Sequence, residues 1–180
     1  MDSRIEELEK LAKRSRQAGE HTRAAQYWHE IAWLYKKAGR HEQAGSAYMR
    51  EFELRVGSAG TADLKKTDLK LLRRQADALM NAGRAFMRAR CSYPSVGSAI
   101  KAAERYKFLG EPKLERKALT IEAKGRVRMA KEHTDAELKG LEYKLALEAH
   151  TKAGNKVRAW WLRKTRRKHM EYTKRQQRPY

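Results

Sequence analysis

Apolar and small residues recur every three or four positions along most of the chain, which is the spacing of one face of an α-helix. The clearest stripe runs from Ala24 through Trp28, Ile31 and Ala32 to Tyr35. Proline occurs only at positions 94, 112 and 179, and the sparse valine, isoleucine and threonine give little support for strands. The pattern predicts an all-α protein.

Start and stop signals divide this pattern into about eight helices. Ser3 with Glu6, and Thr134 with Glu137, have the spacing of a capping box at a helix start. The segment CSYPS predicts a turn with Ser95 as the next cap. The predicted helices cover about residues 4–17, 22–37, 41–56, 61 or 67 to 90, 96–109, 112–131, 135–153 and from 156 onward.

A turn motif repeats along the chain as AGEHTRA at 18–24, AGRHEQA at 38–44 and, more loosely, AGNKVRA at 153–159. Its glycine is suited to end a helix in the left-handed conformation, and Gly110 is expected to do the same. Helices joined by such short turns lie antiparallel, so the sequence predicts a stack of helical hairpins. We divide the chain into a hairpin domain, residues 1–155, and a basic C-terminal helix and tail, residues 156–180.

The region from Trp28 to Glu51 resembles a tetratricopeptide repeat. The match rests on Trp28, Ile31, Ala32, Tyr35, Gly39, Ala44 and Tyr48, with a degenerate second copy at Leu79, Ala82, Gly83 and Phe86. The resemblance implies a solenoid of hairpins with a groove for a protein partner. Such domains often grip a carboxylate with a clamp of Lys, Asn and Arg, whereas this chain has His29 and Trp33 at the corresponding positions. The clamp is therefore not predicted, and His29, Trp33 and Trp160 are our candidates for a partner groove.

A second, weaker resemblance covers about a third of the chain. The segment NAGRAFMRARCSYPSVGSAIKAAERYKFLGEPKL is similar to the SNAP family of membrane-fusion attachment proteins. This resemblance implies an adaptor that binds coiled-coil proteins or an anionic membrane. Members of that family end in an acidic, leucine-containing segment that engages an ATPase, whereas this chain ends in KTRRKHMEYTKRQQRPY.

The charge is strongly asymmetric along the chain. There are 42 Lys and Arg against 22 Asp and Glu, a net charge of +20. Residues 1–60 carry about +2, residues 61–120 about +8 and residues 121–180 about +10. This distribution favours an anionic partner near the C-terminal half. Basic residues of the middle helices, such as Arg74, Arg84 and Arg88, would extend the basic surface if they share a face; Arg73, Arg90, Lys101, Arg105 and Lys107 belong to the same set.

The last segment carries the sharpest functional signal, because ten Lys or Arg and one acidic residue lie between Lys156 and Tyr180. The apolar stripe fades after Leu162, so we expect this helix to project from the stack as a cationic arm that binds phosphates. At least one of Trp160 and Trp161 is expected to pack on the preceding helix. The predicted anion-binding residues are Lys156, Arg158, Arg163, Lys164, Arg166, Arg167, Lys168, Lys174 and Arg175.

Catalytic chemistry has no support in the sequence. The motifs HExxH, CxxC, G-x-S-x-G and the Gly-rich phosphate loop are absent, and Cys91 has no signature of an activated nucleophile. His21 and His41 follow equivalent turns, which favours structural or surface roles. We expect no enzyme activity, metal, cofactor or small-molecule substrate.

Three hypotheses follow from these patterns. The first is a noncatalytic helical-repeat adaptor that binds a protein partner and holds RNA, DNA or a ribonucleoprotein with its C-terminal helix. The second is a SNAP-like trafficking adaptor, and the third is a small basic subunit that lines a nucleic acid within an effector complex. The single cysteine and the charged N-terminus favour a cytoplasmic protein, or a nuclear one in a eukaryote.

Overall fold

A computed structural model gives the fold of residues 2–59 and 68–176, with side chains described as far as Glu171. These residues form eight α-helices and no strand, which confirms the predicted all-α class. None of the eight helices is long and apolar enough to cross a lipid bilayer. The helices are α1 (Asp2–Gln17), α2 (His21–Lys37), α3 (His41–Ala59), α4 (Leu69–Arg88), α5 (Ser92–Phe108), α6 (Pro112–Glu132), α7 (Ala136–Lys152) and α8 (Lys156–Gln176).

The helices are stacked in the order in which they occur along the chain. Each packs mainly on the helix before it and the helix after it, and α4 also touches α6. Most of the packing is therefore between neighbours in sequence, as expected for successive helical hairpins.

The core is continuous along the stack because its clusters share helices. Leu8, Ile31 and Phe86 belong to a first cluster that joins α1 to α4. Tyr106 lies in a second cluster, which joins α3 to α6, and Leu162 lies in a third, which joins α6 to α8. Alanines fill much of the space between these larger side chains.

Two glycines let neighbouring helices approach unusually closely. A Cβ atom on Gly45 of α3 would lie 2.7 Å from the ring of Phe86 on α4. A Cβ atom on Gly125 of α6 would lie 2.5 Å from Cγ2 of Val96 on α5. Small residues thus allow a packed core to form in a chain with few large apolar side chains.

Five of the six described connections between helices use the same turn. Gly19, Gly39, Gly110 and Gly154 all have positive φ, as predicted, and so does Arg90. In each turn this residue donates its N–H to a carbonyl three positions back, and the next residue donates to one five positions back. This pair of bonds is the Schellman motif, which satisfies carbonyl groups at the helix end.

The predicted N-caps are wrong by a few residues. The side chain of Asp68 accepts hydrogen bonds from the N–H groups of Lys70 and Leu71, so α4 begins at Leu69. Thr61 and Thr67, the predicted starts, lie outside the described residues. Asp135 caps α7 in the same way, in place of Thr134, because its carboxylate reaches two orphan N–H groups at once.

Two further boundaries differ from the prediction. Ser3 lies inside α1, which begins at Asp2. Helix α5 begins at Ser92, so most of the CSYPS segment is helical and Ser95 is buried within the helix. Pro94 is accepted there because a residue in the first turn has no helical partner for its N–H.

Candidate nucleic-acid interface

One side of α8 is packed against the rest of the stack. Ala159 and Leu162 are buried, and Leu162 shares a cluster with Ala130 of α6 and with Tyr143 and Ala146 of α7. These positions define the inner side of α8. The helix begins directly after the Gly154 turn, so it forms a hairpin with α7.

Polar side chains extend this packing beyond Leu162. The ring Nε2 of His169 lies 3.0 Å from the carbonyl oxygen of Ala136, to which it donates a hydrogen bond. The same ring makes an edge contact with Tyr143, with their centroids 6.2 Å apart. The prediction that α8 projects from the stack after Leu162 is therefore wrong as far as His169. The prediction was based on apolar residues alone, and such a pattern does not detect that His169 continues the inner side of α8.

Most of the predicted anion-binding residues of α8 are exposed. The exposed members are Lys156, Arg158, Arg163, Lys164, Arg167 and Lys168. Arg166 is half-buried, one turn after Leu162 on the inner side, and its Nε is buried with no hydrogen-bond partner among the described residues. The side chains of Lys174 and Arg175 lie outside the described residues.

No ion pair with a described side chain neutralises the exposed cations of α8. Among the residues whose side chains are described, ion pairs involve helices α1 to α4, α6 and α7 and the turns next to them, and none involves α8. Glu171 is the single acid on the helix. The outer side of α8 therefore carries concentrated and uncompensated positive charge.

Aromatic and apolar side chains lie among these cations. Trp160 is 56% exposed and Trp161 is 55% exposed, so the prediction that one of the pair packs on α7 is wrong. Val157 is also exposed. The ammonium group of Lys164 lies 4.0 Å from the ring centroid of Trp160, whereas no described cation covers Trp161. Ala159 and Leu162 occupy the inner positions instead, and they direct both indoles outward.

The three candidates for a partner groove do not come together. His29 and Trp33 lie one turn apart on α2, near the start of the stack, and Trp160 lies on α8 at its other end. Trp33 is exposed, with the ammonium of Lys37 3.9 Å from its ring centroid. His29 lines a cleft of about 240 Å³ between α2, α3 and α4.

A buried polar network below His29 was not predicted from the sequence. Nδ1 of His29 lies 2.9 Å from a carboxylate oxygen of Glu51, and Arg55 donates to the other oxygen at 2.7 Å. Gln75 donates to the carbonyl of Arg55 and accepts from the guanidinium of Arg105. Glu51 and Arg55 are one turn apart on α3, so their i, i+4 spacing was the only available signal.

The basic residues of the middle helices separate into different groups. Arg73 pairs with Asp77 and Glu111, so its charge is compensated. Arg105 is buried, and burial lowers its pKa. Arg84 and Arg88 are exposed on one side of α4, and neither forms an ion pair with a described residue. Lys101 and Lys107 are exposed on α5, Arg90 is exposed in a turn, and Arg74 lines the cleft that contains His29.

Two titratable side chains of the described residues have shifted pKa values that bear on reactivity. Burial raises the pKa of the Cys91 thiol, which disfavours the nucleophilic thiolate. Burial and the nearby charges of Arg158 and Lys124 lower the pKa of His150. Within the described ranges, no three side chains of His, Cys, Asp or Glu are grouped as metal ligands.

Comparisons of the chain with protein-family models and with curated proteins find no match in either set. The proposed function therefore rests on the positions of the exposed cations of α8.

Proposed function

We propose that the protein is a noncatalytic helical adaptor in which α8 binds the phosphate backbone of a nucleic acid. The observation that supports this most directly is the unpaired positive charge on the outer side of α8. The hydrogen bond from His169 to Ala136 also supports the proposal, because it holds α8 against α7 and a helix that is already ordered loses little entropy on binding.

The binding would come mainly from the release of counterions. Six side chains on α8 are exposed and basic, from Lys156 to Lys168. If all six engage phosphates, the log–log dependence of affinity on salt has a slope of about −4 for a single strand and about −5 for a duplex. Contacts of this kind carry little sequence information.

The indole of Trp161 favours a single strand over a duplex. Its ring is exposed, and no described cation covers it, so an unstacked base has room to stack on it. Stacking of a base on an aromatic side chain contributes about 1–3 kcal/mol. Paired bases within a duplex are not available for this contact.

The adaptor role requires a second surface for a protein partner. The exposed side of α2 that carries His29 and Trp33 is our candidate, because Trp33 offers a large aromatic side chain of the type that anchors protein interfaces. This surface lies at the opposite end of the stack from α8, so both partners could be held at once.

An anionic membrane surface is a second candidate for the partner of α8. Val157, Trp160 and Trp161 are exposed next to lysines and arginines, a combination that also suits a helix at the interface of a bilayer. Vesicles that contain phosphatidylserine would then sediment with the protein, whereas neutral vesicles would not.

The test of the proposed function is a comparison of two charge variants. In the first, Arg163, Lys164, Arg167 and Lys168 are replaced by Gln, which leaves the inner side of α8 intact. In the control, the exposed residues Lys101, Lys107, Lys113 and Lys117 are replaced by Gln. Binding of a labelled single-stranded RNA of about 20 nucleotides should weaken at least tenfold more in the first variant than in the control. Equal loss in both would exclude α8 as the binding site.

A further inference from the structure

A second cleft lies on the side of α4 that carries Arg84 and Arg88. It has a volume of about 200 Å³ and is formed by α2, α3 and α4. The residues around it are Lys36, His41, Tyr48, Asn81, Arg84, Ala85 and Arg88. Three of these side chains are cations and none is a carboxylate, so the cleft carries a concentrated positive charge.

The neighbouring cleft that contains His29 provides a contrast. The two clefts share Asn81, but the cleft that contains His29 is lined by Glu51 and Asp77 as well as by arginines. Glu51 pairs with Arg55, and Asp77 pairs with Arg73. Both carboxylates of that cleft are therefore paired with arginines, whereas no described ion pair involves Lys36, Arg84 or Arg88.

We propose that the cleft formed by Lys36, Arg84 and Arg88 is a second phosphate-binding site for the nucleic acid that α8 binds. This inference rests on the proposed function. Arg84 and Arg88 are one turn apart on α4, so their guanidinium groups can contact neighbouring phosphates along a strand. Lys36 on α2 provides the third cation on the opposite wall of the cleft.

Neutral groups of the cleft also suit a phosphate. The side-chain amide of Asn81 can donate a hydrogen bond to a phosphate oxygen. Helix α3 begins at His41, so the positive end of the dipole of α3 lies at the cleft.

The lining of the cleft favours a nucleic acid over an acidic peptide. Peptides are usually held by apolar pockets for their side chains or by backbone hydrogen bonds to a strand edge. The only aliphatic side chain around this cleft is Ala85, and Tyr48 is 4% exposed. A phosphate backbone needs only cations and donors, which are the groups that the cleft provides.

The experiment uses the full chain with Lys36, Arg84 and Arg88 replaced by Gln. All three are exposed, so the fold should be retained, and circular dichroism checks this. The control replaces Lys101, Lys107 and Lys113, three exposed lysines elsewhere on the stack. The probe is a labelled single-stranded RNA of about 20 nucleotides, titrated between about 50 and 200 mM salt.

The loss of three phosphate contacts should reduce the magnitude of the salt slope by about 2. Over this range of salt, the wild type should therefore lose about 15- to 20-fold more affinity than the cleft variant. A variant with Arg84→Lys and Arg88→Lys should keep most of the salt slope, because lysine still neutralises a phosphate. A slope equal to that of the control variant would overturn the proposal.

The two sites can fail separately. If the α8 variant loses binding and the cleft variant does not, the cleft proposal is wrong and the function proposed for α8 stands. If only the cleft variant loses binding, the cleft binds the RNA by itself, and both the function proposed for α8 and the claim that the two sites share one nucleic acid are wrong. A labelled polyglutamate peptide serves as the second probe. Loss of peptide binding without loss of RNA binding would assign the cleft to an acidic protein and overturn the proposal.

Discussion

At the scale of single residues, the packing of α2 on α3 includes a carboxylate that is almost completely buried. Glu51 is 3% exposed, and it is held by the guanidinium of Arg55 and by the ring of His29. A buried charge is tolerated only when partners replace the water that it has lost. Glu51 is therefore tolerated inside the protein only while both partners are present, and its contact with His29 joins α3 to α2.

Substitution of one partner of this pair should be much more damaging than substitution of both. Glu51→Leu leaves Arg55 buried without a counterion and should lower the free energy of unfolding by about 3–5 kcal/mol. The double variant Glu51→Leu/Arg55→Met removes both charges and should recover most of that loss. Urea unfolding measures both values. A double variant no more stable than the single one would contradict this account of the pair.

The pKa values of two histidines should be shifted in opposite directions from the ordinary value of about 6.5. The hydrogen bond to Glu51 raises the pKa of His29, so its contribution to stability is present below that value and is lost as the pH rises through the folded-state pKa. Burial lowers the pKa of His150. The contribution of His150 to stability is therefore present above the ordinary value and is lost as the pH falls through the folded-state pKa.

An NMR titration of the imidazole Cε1 protons measures both pKa values, with His29→Gln and His150→Gln as assignment controls. We expect the midpoint of His29 to lie above that of His150. In the Glu51→Gln variant the midpoint of His29 should move down, because the hydrogen bond to a carboxylate is lost. The reverse order of midpoints would show that the environments assigned to the two rings are wrong.

At the scale of helices, the turns were predicted well because their signal is local. The left-handed position of a Schellman motif favours glycine, and four of the five turns have it. The fifth has Arg90, which gives no signal of this kind. Asp68 and Asp135 were missed as caps because a nearby threonine fitted the same pattern, and the choice between them depends on backbone geometry.

Replacement of Arg90 by Gly should stabilise the protein. Its φ of 65° costs a residue with a side chain about 1–2 kcal/mol, part of which is offset by the greater flexibility of glycine in the unfolded chain. The net gain should be up to about 1 kcal/mol, which corresponds to a rise of about 2–4 °C in the melting temperature. Differential scanning calorimetry measures this rise.

The matched control is Gly39→Ala, which places a side chain in the same conformation at φ 72°. A Cβ atom there meets nothing within 4 Å, so any loss comes from the backbone alone. This variant should be destabilised by up to about 1 kcal/mol, because the lower flexibility of alanine in the unfolded chain offsets part of the strain. A destabilised Arg90→Gly variant, or an unchanged Gly39→Ala variant, would contradict the equivalence of the turns.

At the scale of the whole molecule, the sequence predicts a hairpin stack with positive charge toward its C-terminal end. It does not predict which cations share a face, because that depends on the rotation of each helix in the stack. Arg73 and Arg74 are adjacent in the chain, yet Arg73 is paired with Asp77 and Glu111 while Arg74 lines a cleft. Likewise, apolar residues predict the inner side of α8 as far as Leu162. Its continuation at His169 was not predicted, because that residue is polar.

The central claim of this account is that the uncompensated cations of α8 bind phosphates. The most direct measurement is the salt dependence of RNA affinity for the wild type and for the variant with Gln at Arg163, Lys164, Arg167 and Lys168. Removal of four contacts should reduce the magnitude of the log–log slope by about 3. An unchanged slope, or a wild-type protein whose RNA affinity does not depend on salt, would contradict the claim.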